Sequence, residues 1–189
     1  FYMNKLVVGE KSRSVIDITK SITENLQRIA EAEGKKVSDL TVYILDKPRH
    51  KEMISEIRAA GARITLHTDG DVLGALLAAM PNTGVDVLMG IGGTPEGVLA
   101  ACAVKALNGG MQGMRAPQLK EEKENLERDG VDIHEVLTLD TLVKTDNTIF
   151  SATGITSGGY LAGVKFNADG SAVTKSIVIR SKSGSIRFI

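Results

Sequence analysis

Tryptophan is absent, cysteine occurs once, and Phe, Trp and Tyr together make up only 4% of the 189 residues. Each shortage excludes something. The single cysteine, Cys102, closes no internal disulfide and builds no multi-cysteine zinc site. So few aromatics argue against a platform that stacks the bases of single-stranded nucleic acid. Neither charge is in excess, because 23 Lys+Arg balance 23 Asp+Glu. A general nucleic-acid or membrane-surface binder carries a basic excess, so both partner classes are disfavoured. No apolar run approaches the roughly 18 residues of a membrane span. No charged-then-apolar signal segment opens the chain. The reading is a cytoplasmic, reducing setting with no nucleic acid and no membrane as partner.

What is present is an ordinary globular mixture, 42% hydrophobic and 24% charged. At this length it predicts one domain, residues 1–189, that buries a real core. The chain opens on Phe1 rather than Met, and Leu6-Val7-Val8 reads as a strand already under way. The expectation is a piece of a longer protein or a processed chain.

Residues 5–8 and 14–18 read as short strands. Ile22, Leu26, Ile29 and Ala30 recur at helical spacing, and Ser21 with Glu24 fits a capping box, so a helix is predicted to about Gly34. A clear alternation follows. Strands are predicted at 40–45, 62–66 and 85–91, and helices at 51–60, 71–80 and 95–107. This βαβαβα order predicts a parallel sheet covered by helices. Beyond it, 118–128 reads as a charged surface helix and 139–143 as a short one. Strands are predicted at 148–152, 163–166, 172–180 and 185–188, building an edge of the sheet.

Parallel strands joined by crossovers place their strand-to-helix loops on one sheet edge, and ligands of open α/β sheets bind there. Three loops should therefore be read together. Asp46-Lys47-Pro48-Arg49-His50 offers a point charge and a planar fork, a pair that suits a phosphate. Thr68-Asp69-Gly70-Asp71 offers two carboxylates, either as sugar-hydroxyl acceptors or cation ligands, or simply as helix caps. Gly90-Ile91-Gly92-Gly93-Thr94-Pro95-Glu96-Gly97 suggests a glycine nest at a helix start, with Glu96 as a metal carboxylate or a dipole partner. Together they suit a phosphorylated, hydroxyl-rich small molecule with a divalent metal. The glycine spacing is not G-x-G-x-x-G, and there is no P-loop and no nucleophile elbow. A nucleotide-binding domain is accordingly disfavoured. His50 and His67 read as hydrogen-bonded structural residues, and Cys102 as a small buried one.

At these residues the chain resembles a known family. Tyr2-Met3-Asn4-Lys5-Leu6, Lys47-Pro48-Arg49-His50, Asp69-Gly70-Asp71-Val72, the Gly90–Gly97 block and Phe150-Ser151-Ala152-Thr153-Gly154-Ile155-Thr156 are similar, in order, to class II (GlpX-type) fructose-1,6-bisphosphatases. The resemblance implies a layered α/β carbohydrate-phosphatase fold, with the parallel βαβαβα core and added C-terminal strands. It implies hydrolysis of the 1-phosphate of fructose 1,6-bisphosphate in gluconeogenesis, with Mn²⁺ or Mg²⁺ as cofactor and sedoheptulose 1,7-bisphosphate as a second substrate of some members. It places Tyr2, Lys47, Pro48, Arg49, Asp69, Gly70, Asp71 and Gly93 among substrate contacts and Glu96 among metal ligands. It further implies that this stretch is the C-terminal portion of a longer, homo-oligomeric enzyme. The catalytic groups are then expected in the N-terminal portion, leaving this chain with little activity by itself. A departure falls at Ser157-Gly158-Gly159, where an acidic run is frequent in the family, and Arg115 receives no role. The alternative is a non-catalytic sugar-phosphate-binding module using the same loops.

Overall fold

The computed structural model describes residues 1–156 and 160–189. Ser157, Gly158 and Gly159, where the sequence departs from the family pattern, lie outside the described residues. The first half holds β1 (Tyr2–Val8), α1 (Ile22–Glu33), β2 (Thr41–Leu45), α2 (Lys51–Ala59), β3 (Arg63–His67), α3 (Asp71–Ala79), β4 (Val87–Gly93) and α4 (Thr94–Ala106). Then come β5 (Gly110–Arg115), α5 (Lys120–Arg128), β6 (Leu137–Thr138) and α6 (Leu139–Leu142). The C-terminal stretch supplies β7 (Ile149–Thr153), β8 (Lys165–Phe166), β9 (Ala172–Val173), β10 (Ser176–Arg180) and β11 (Ser185–Phe188).

The main sheet has the order β3-β2-β4-β1-β5-β6. β2 runs parallel to both β3 and β4, as the alternating pattern predicts. β1 lies in the middle and runs antiparallel to β4 and β5. This direction matters for function. It puts the N-terminal end of β1, with Tyr2, at the edge where β2, β3 and β4 end.

Side-chain alternation on the strands divides the core in two. Met3, Val7, Tyr43, Leu88 and Met111 face α3 and α4, where Ala75, Ala78, Ala100, Ala101 and Val104 meet them. Leu6, Val8, Val42, Ile44 and Met89 face α1 and α2, against Leu26, Ile29, Ile54 and Ile57. α1 begins with the predicted capping box, Ser21 and Glu24 satisfying each other's backbone. α3 and α4 each carry a second apolar side because they are covered twice. Their outer sides (Leu76, Met80, Ala103) pack on Phe150, Ile177 and Ile179 of the C-terminal sheet. The layers therefore run helices, sheet, helices, small sheet, a layered α/β architecture as anticipated.

Three expectations are corrected. Residues 14–18 form no strand, because side chains satisfy their backbone instead of a ladder. Asn25 accepts from the Asp17 N–H at 2.9 Å and donates to its carbonyl at 2.7 Å, and Gln112 accepts from the Ile18 N–H at 2.7 Å. β5 was not foreseen, since Gly-Met-Gln-Gly-Met-Arg lacks β-branched residues. It is a strand because β1 pairs with it over six positions. The C-terminal strands do not extend the main sheet, whose ends are taken by β3 and β6. They form a separate antiparallel sheet, β11-β10-β7, and a two-stranded β8-β9 pair, and the run 172–180 is broken into β9 and β10. No helix among the described residues is long and apolar enough to cross a membrane.

Candidate functional site

The ends of β2, β3 and β4 deliver all three chemistry-bearing segments to one edge, and the start of β1 joins them. The segment after β2 is short and stiff. Pro48–His50 makes one 3₁₀ turn leading into α2. His50 is fully buried and acts as a bolt. Its Nε2 accepts the Ile91 N–H at 2.8 Å, which requires the proton on Nδ1, and Nδ1 donates to the Leu45 carbonyl at 2.7 Å. Burial pushes its pKa below the ordinary value, favouring this neutral form. The hydrogen-bonded structural role anticipated for His50 is what the geometry shows. Arg49 adds a second tie, its Nε donating to the Ile91 carbonyl at 2.8 Å. The guanidinium also lies over the Tyr2 ring, 4.9 Å from its centroid. One of five N–H donors is spent on Ile91, so the planar fork keeps capacity for an anion. Lys47 reaches across to Asp69 at 3.1 Å, and Pro48 is exposed beside it.

The segment after β3 turns through Gly70, which has φ +96° and caps α3. A Cβ is strained there, which explains glycine between two aspartates. Asp69 therefore does not cap the helix, and the capping alternative fails for it. Its side chain stands 85% exposed, paired with Lys47 and with no other cation among the described residues. Tyr43 supports this turn from below, donating its hydroxyl to the Gly70 carbonyl at 3.1 Å. Its ring stacks on His67, centroids 4.0 Å apart, and the hydrogen bond expected of the His67 ring finds no partner among the described residues. Burial, and then the charges of Asp71 and Asp69, push the Tyr43 phenol up to about 12, so it remains a donor. Sequence reasoning gave Tyr43 no role, since an aromatic within a buried strand reads only as core.

The glycine-rich segment corrects the nest expectation. Gly90 to Gly93 are the end of β4, in register with β1: Tyr2 faces Gly93, Met3 faces Gly92 and Lys5 faces Gly90. The first amide of α4, Thr94 N–H, already bonds the Phe1 carbonyl at 3.0 Å. The glycines serve close approach instead. A Cβ on Gly93 would overlap the Glu96 carboxylate, which folds back over it. A Cβ on Gly92 would overlap the Asp71 carboxylate and sit 2.8 Å from Lys5 Nζ. Two carboxylates and a buried ammonium are thus laid against one stretch of bare backbone. Lys5 pairs with Asp71 and donates to the Gly93 carbonyl at 3.3 Å. Lys5 received no role from the sequence, although a lysine within the apolar run of β1 was the visible signal. Arg115, which ends β5 at this edge, is tied to Glu135 at 2.8 Å and to the Asp132 carbonyl.

The edge thus gathers Tyr2, Lys47, Pro48, Arg49, Asp69, Gly70, Asp71, Gly93 and Glu96. A divalent-cation centre does not close on them. Among the described residues no three His, Cys, Asp or Glu side chains group around one point. Asp71 is engaged with Lys5, and Asp69 with Lys47. A Mg²⁺ or Mn²⁺ centre built on carboxylates needs more oxygen donors than Glu96 alone supplies.

With this geometry in place, similarity to known proteins becomes informative. The family model of bacterial, glpX-encoded fructose-1,6-bisphosphatases matches residues 1–189. The chain belongs to this family. It is 44% identical over 202 aligned residues to the fructose-1,6-bisphosphatase class 2 of Haemophilus influenzae. It is 41% identical over 201 to fructose-1,6-bisphosphatase 1 class 2 of Escherichia coli K12. Each alignment covers all of this chain and 60% of the relative. The chain therefore spans about three-fifths of the length of the curated relatives it matches.

Proposed function

We propose that this chain forms the sugar-phosphate-binding part of a fructose-1,6-bisphosphatase, an enzyme hydrolysing the 1-phosphate to give fructose 6-phosphate and phosphate. The observation carrying this reading is the convergence, on one sheet edge, of a phosphate-binding pair and a hydroxyl-binding pair. Lys47 and Arg49 receive a phosphate, Arg49 held in place by Ile91 and the Tyr2 ring. A phosphate displaces Asp69 from Lys47, freeing that carboxylate for a sugar hydroxyl. Asp71 accepts a second hydroxyl, since the ion pair to Lys5 uses only part of its lone-pair capacity. Gly70 makes the turn that sets Asp69 and Asp71 on either side of it, Gly93 makes room for the Glu96 carboxylate beside them, and Tyr2 and Pro48 wall the site. The names of the relatives support fructose 1,6-bisphosphate as the ligand. A sedoheptulose bisphosphate presents the same groups and is a candidate second substrate.

Glu96 is one candidate ligand for the Mn²⁺ or Mg²⁺ that metal-assisted phosphate transfer uses. The described residues do not complete a coordination sphere around it, and phosphate binding by Lys47 and Arg49 needs no ion. This observation favours a second reading for the chain by itself, a sugar-phosphate-binding module with little or no turnover. Cytoplasmic location, a role in gluconeogenesis and assembly into a homo-oligomer belong to the same proposal.

Titration calorimetry with fructose 1,6-bisphosphate, followed by phosphate release with Mn²⁺ on the same sample, tests both readings. Saturable binding lost in Arg49→Ala supports the site. Binding without release supports the module, and robust release overturns it. No binding to the unsubstituted chain overturns the site itself.

A further inference from the structure

The structure places a buried ammonium where the fold has no need of one. Lys5 sits in the central strand of the main sheet, between β4 and β5, and is 2% exposed. Its neighbours on the same face, Met3 and Val7, are ordinary apolar core. A methionine or leucine would fill that position without the cost of desolvating a charge. Replacing a buried ion pair by apolar side chains is commonly neutral or stabilising, so the pair with Asp71 is weak evidence of a folding role.

The surroundings are shaped to admit this side chain. Across the two ladders Lys5 faces Gly90 and Gly113. Gly92 leaves room for its Nζ, since a Cβ there would fall 2.8 Å from it, and Gly97 of α4 makes room for the neighbouring Met3 sulfur, 2.9 Å from where a Cβ would stand. The tip then emerges between the starts of α3 and α4. It meets Asp71, the first residue of α3, and the Gly93 carbonyl, the residue before α4. Lys5 is the side chain that joins the hydroxyl-binding segment to the glycine segment. His50 and Arg49 make the corresponding tie between the phosphate-binding segment and Ile91.

We propose that Lys5 is a positioning residue of the sugar subsite, fixing the Asp71 carboxylate and the Gly93 backbone in one arrangement for the ligand's hydroxyls. This rests on the functional reading above. Lys5 acts through Asp71 and the backbone, so it governs recognition of the sugar and not of the phosphate.

The test compares Lys5→Met, Asp71→Asn and the double substitution by calorimetry with two probes, fructose 1,6-bisphosphate and inorganic phosphate. Lys5→Met weakens the sugar bisphosphate by about tenfold, the scale of a charge-assisted bond, and leaves inorganic phosphate within about twofold. In the Asp71→Asn background it adds no further loss. Equal weakening of both probes, or losses that add, overturns the proposal by showing a general structural role. If Lys5→Met does not fold, Lys5→Gln keeps a polar tip and the same comparison applies. If the unsubstituted chain binds neither probe, the functional reading fails, and the ligand-free protein decides Lys5 separately. A changed Asp71 carboxyl ¹³C shift in the Lys5 variant then supports positioning of Asp71, and an unchanged shift overturns it.

Discussion

The carboxyl edge of the main sheet and the C-terminal sheet are built on different principles. At the main-sheet edge, β1, β2 and β4 are buried on both faces, and the segments leaving them are tied to one another by His50, Arg49, Lys47, Tyr43 and Lys5. The C-terminal sheet is covered on one face only. Phe150, Ile177 and Ile179 rest on α3 and α4, while Ile149, the neighbour of Phe150 on β7, points away from them and is exposed. A surface that must hold several polar groups to within a fraction of an ångström needs support from all sides. A one-sided sheet needs only its alternation. The cross-ties mark the edge to which the proposed function assigns ligand binding.

The largest effect on ligand binding should follow a change that leaves the core alone and disturbs the ties. Gly92→Ala drives a Cβ into the Asp71 carboxylate and against Lys5 Nζ. Affinity for fructose 1,6-bisphosphate should fall by up to about a hundredfold, the upper end of what losing a hydrogen bond to a charged group costs. Calorimetry checks it, with circular dichroism showing the fold retained. Next come two core truncations. Ile44→Ala, beneath the main sheet, and Ile177→Ala, beneath the small one, each remove a fully buried side chain. Both should lose stability in the range of about 2–5 kcal/mol, the first more, because a thin one-sided layer collapses more easily around a cavity. Denaturant titration showing the reverse order would break the contrast between the regions.

A smaller effect distinguishes the His50 bolt. Its pKa is lowered on folding from the model-peptide value of 6.5, burial being the main cause. Above pH 6.5 both folded and unfolded forms are neutral, and its contribution is constant. As pH falls below 6.5 the unfolded chain takes up the proton first, so stability declines until the folded pKa is passed and then levels. Urea midpoints between pH 8 and pH 5 should show this decline, and His50→Gln should make it shallower, the remainder coming from His67, whose pKa burial also lowers. The least effect belongs to Phe166→Ser. The side chain is 78% exposed on the β8-β9 pair, and stability should change by no more than about 0.5 kcal/mol in thermal melts.

Legibility followed the same division. The six alternating strands and helices from β2 to α4 were readable because their hydrophobic periods are local properties of the chain. The α1 capping box was readable because it closes within four residues. At the site, Lys47, Arg49, Asp69, Asp71 and Glu96 could be nominated by charge and by position after strands. The arrangement among them was not readable. Nothing in Gly-Ile-Gly-Gly says strand rather than loop, and only the pairing with β1 decides it. β5 is a strand for the same reason, and residues 14–18 are not one because Asn25 and Gln112 intercept their backbone. Tyr43 and Lys5 stayed silent because their partners lie 27 and 66 residues away.

By itself, then, the sequence determined the order of the elements, the apolar faces and the inventory of charges, all set by short-range periodicity and residue chemistry. Its motifs also determined family membership. The tertiary structure decided which way β1 runs, that the C-terminal strands leave the main sheet, and which charges neutralise each other before a ligand arrives. Those choices depend on contacts between residues far apart in the chain, where the loop-closure cost is offset by burial and pairing rather than by any local preference.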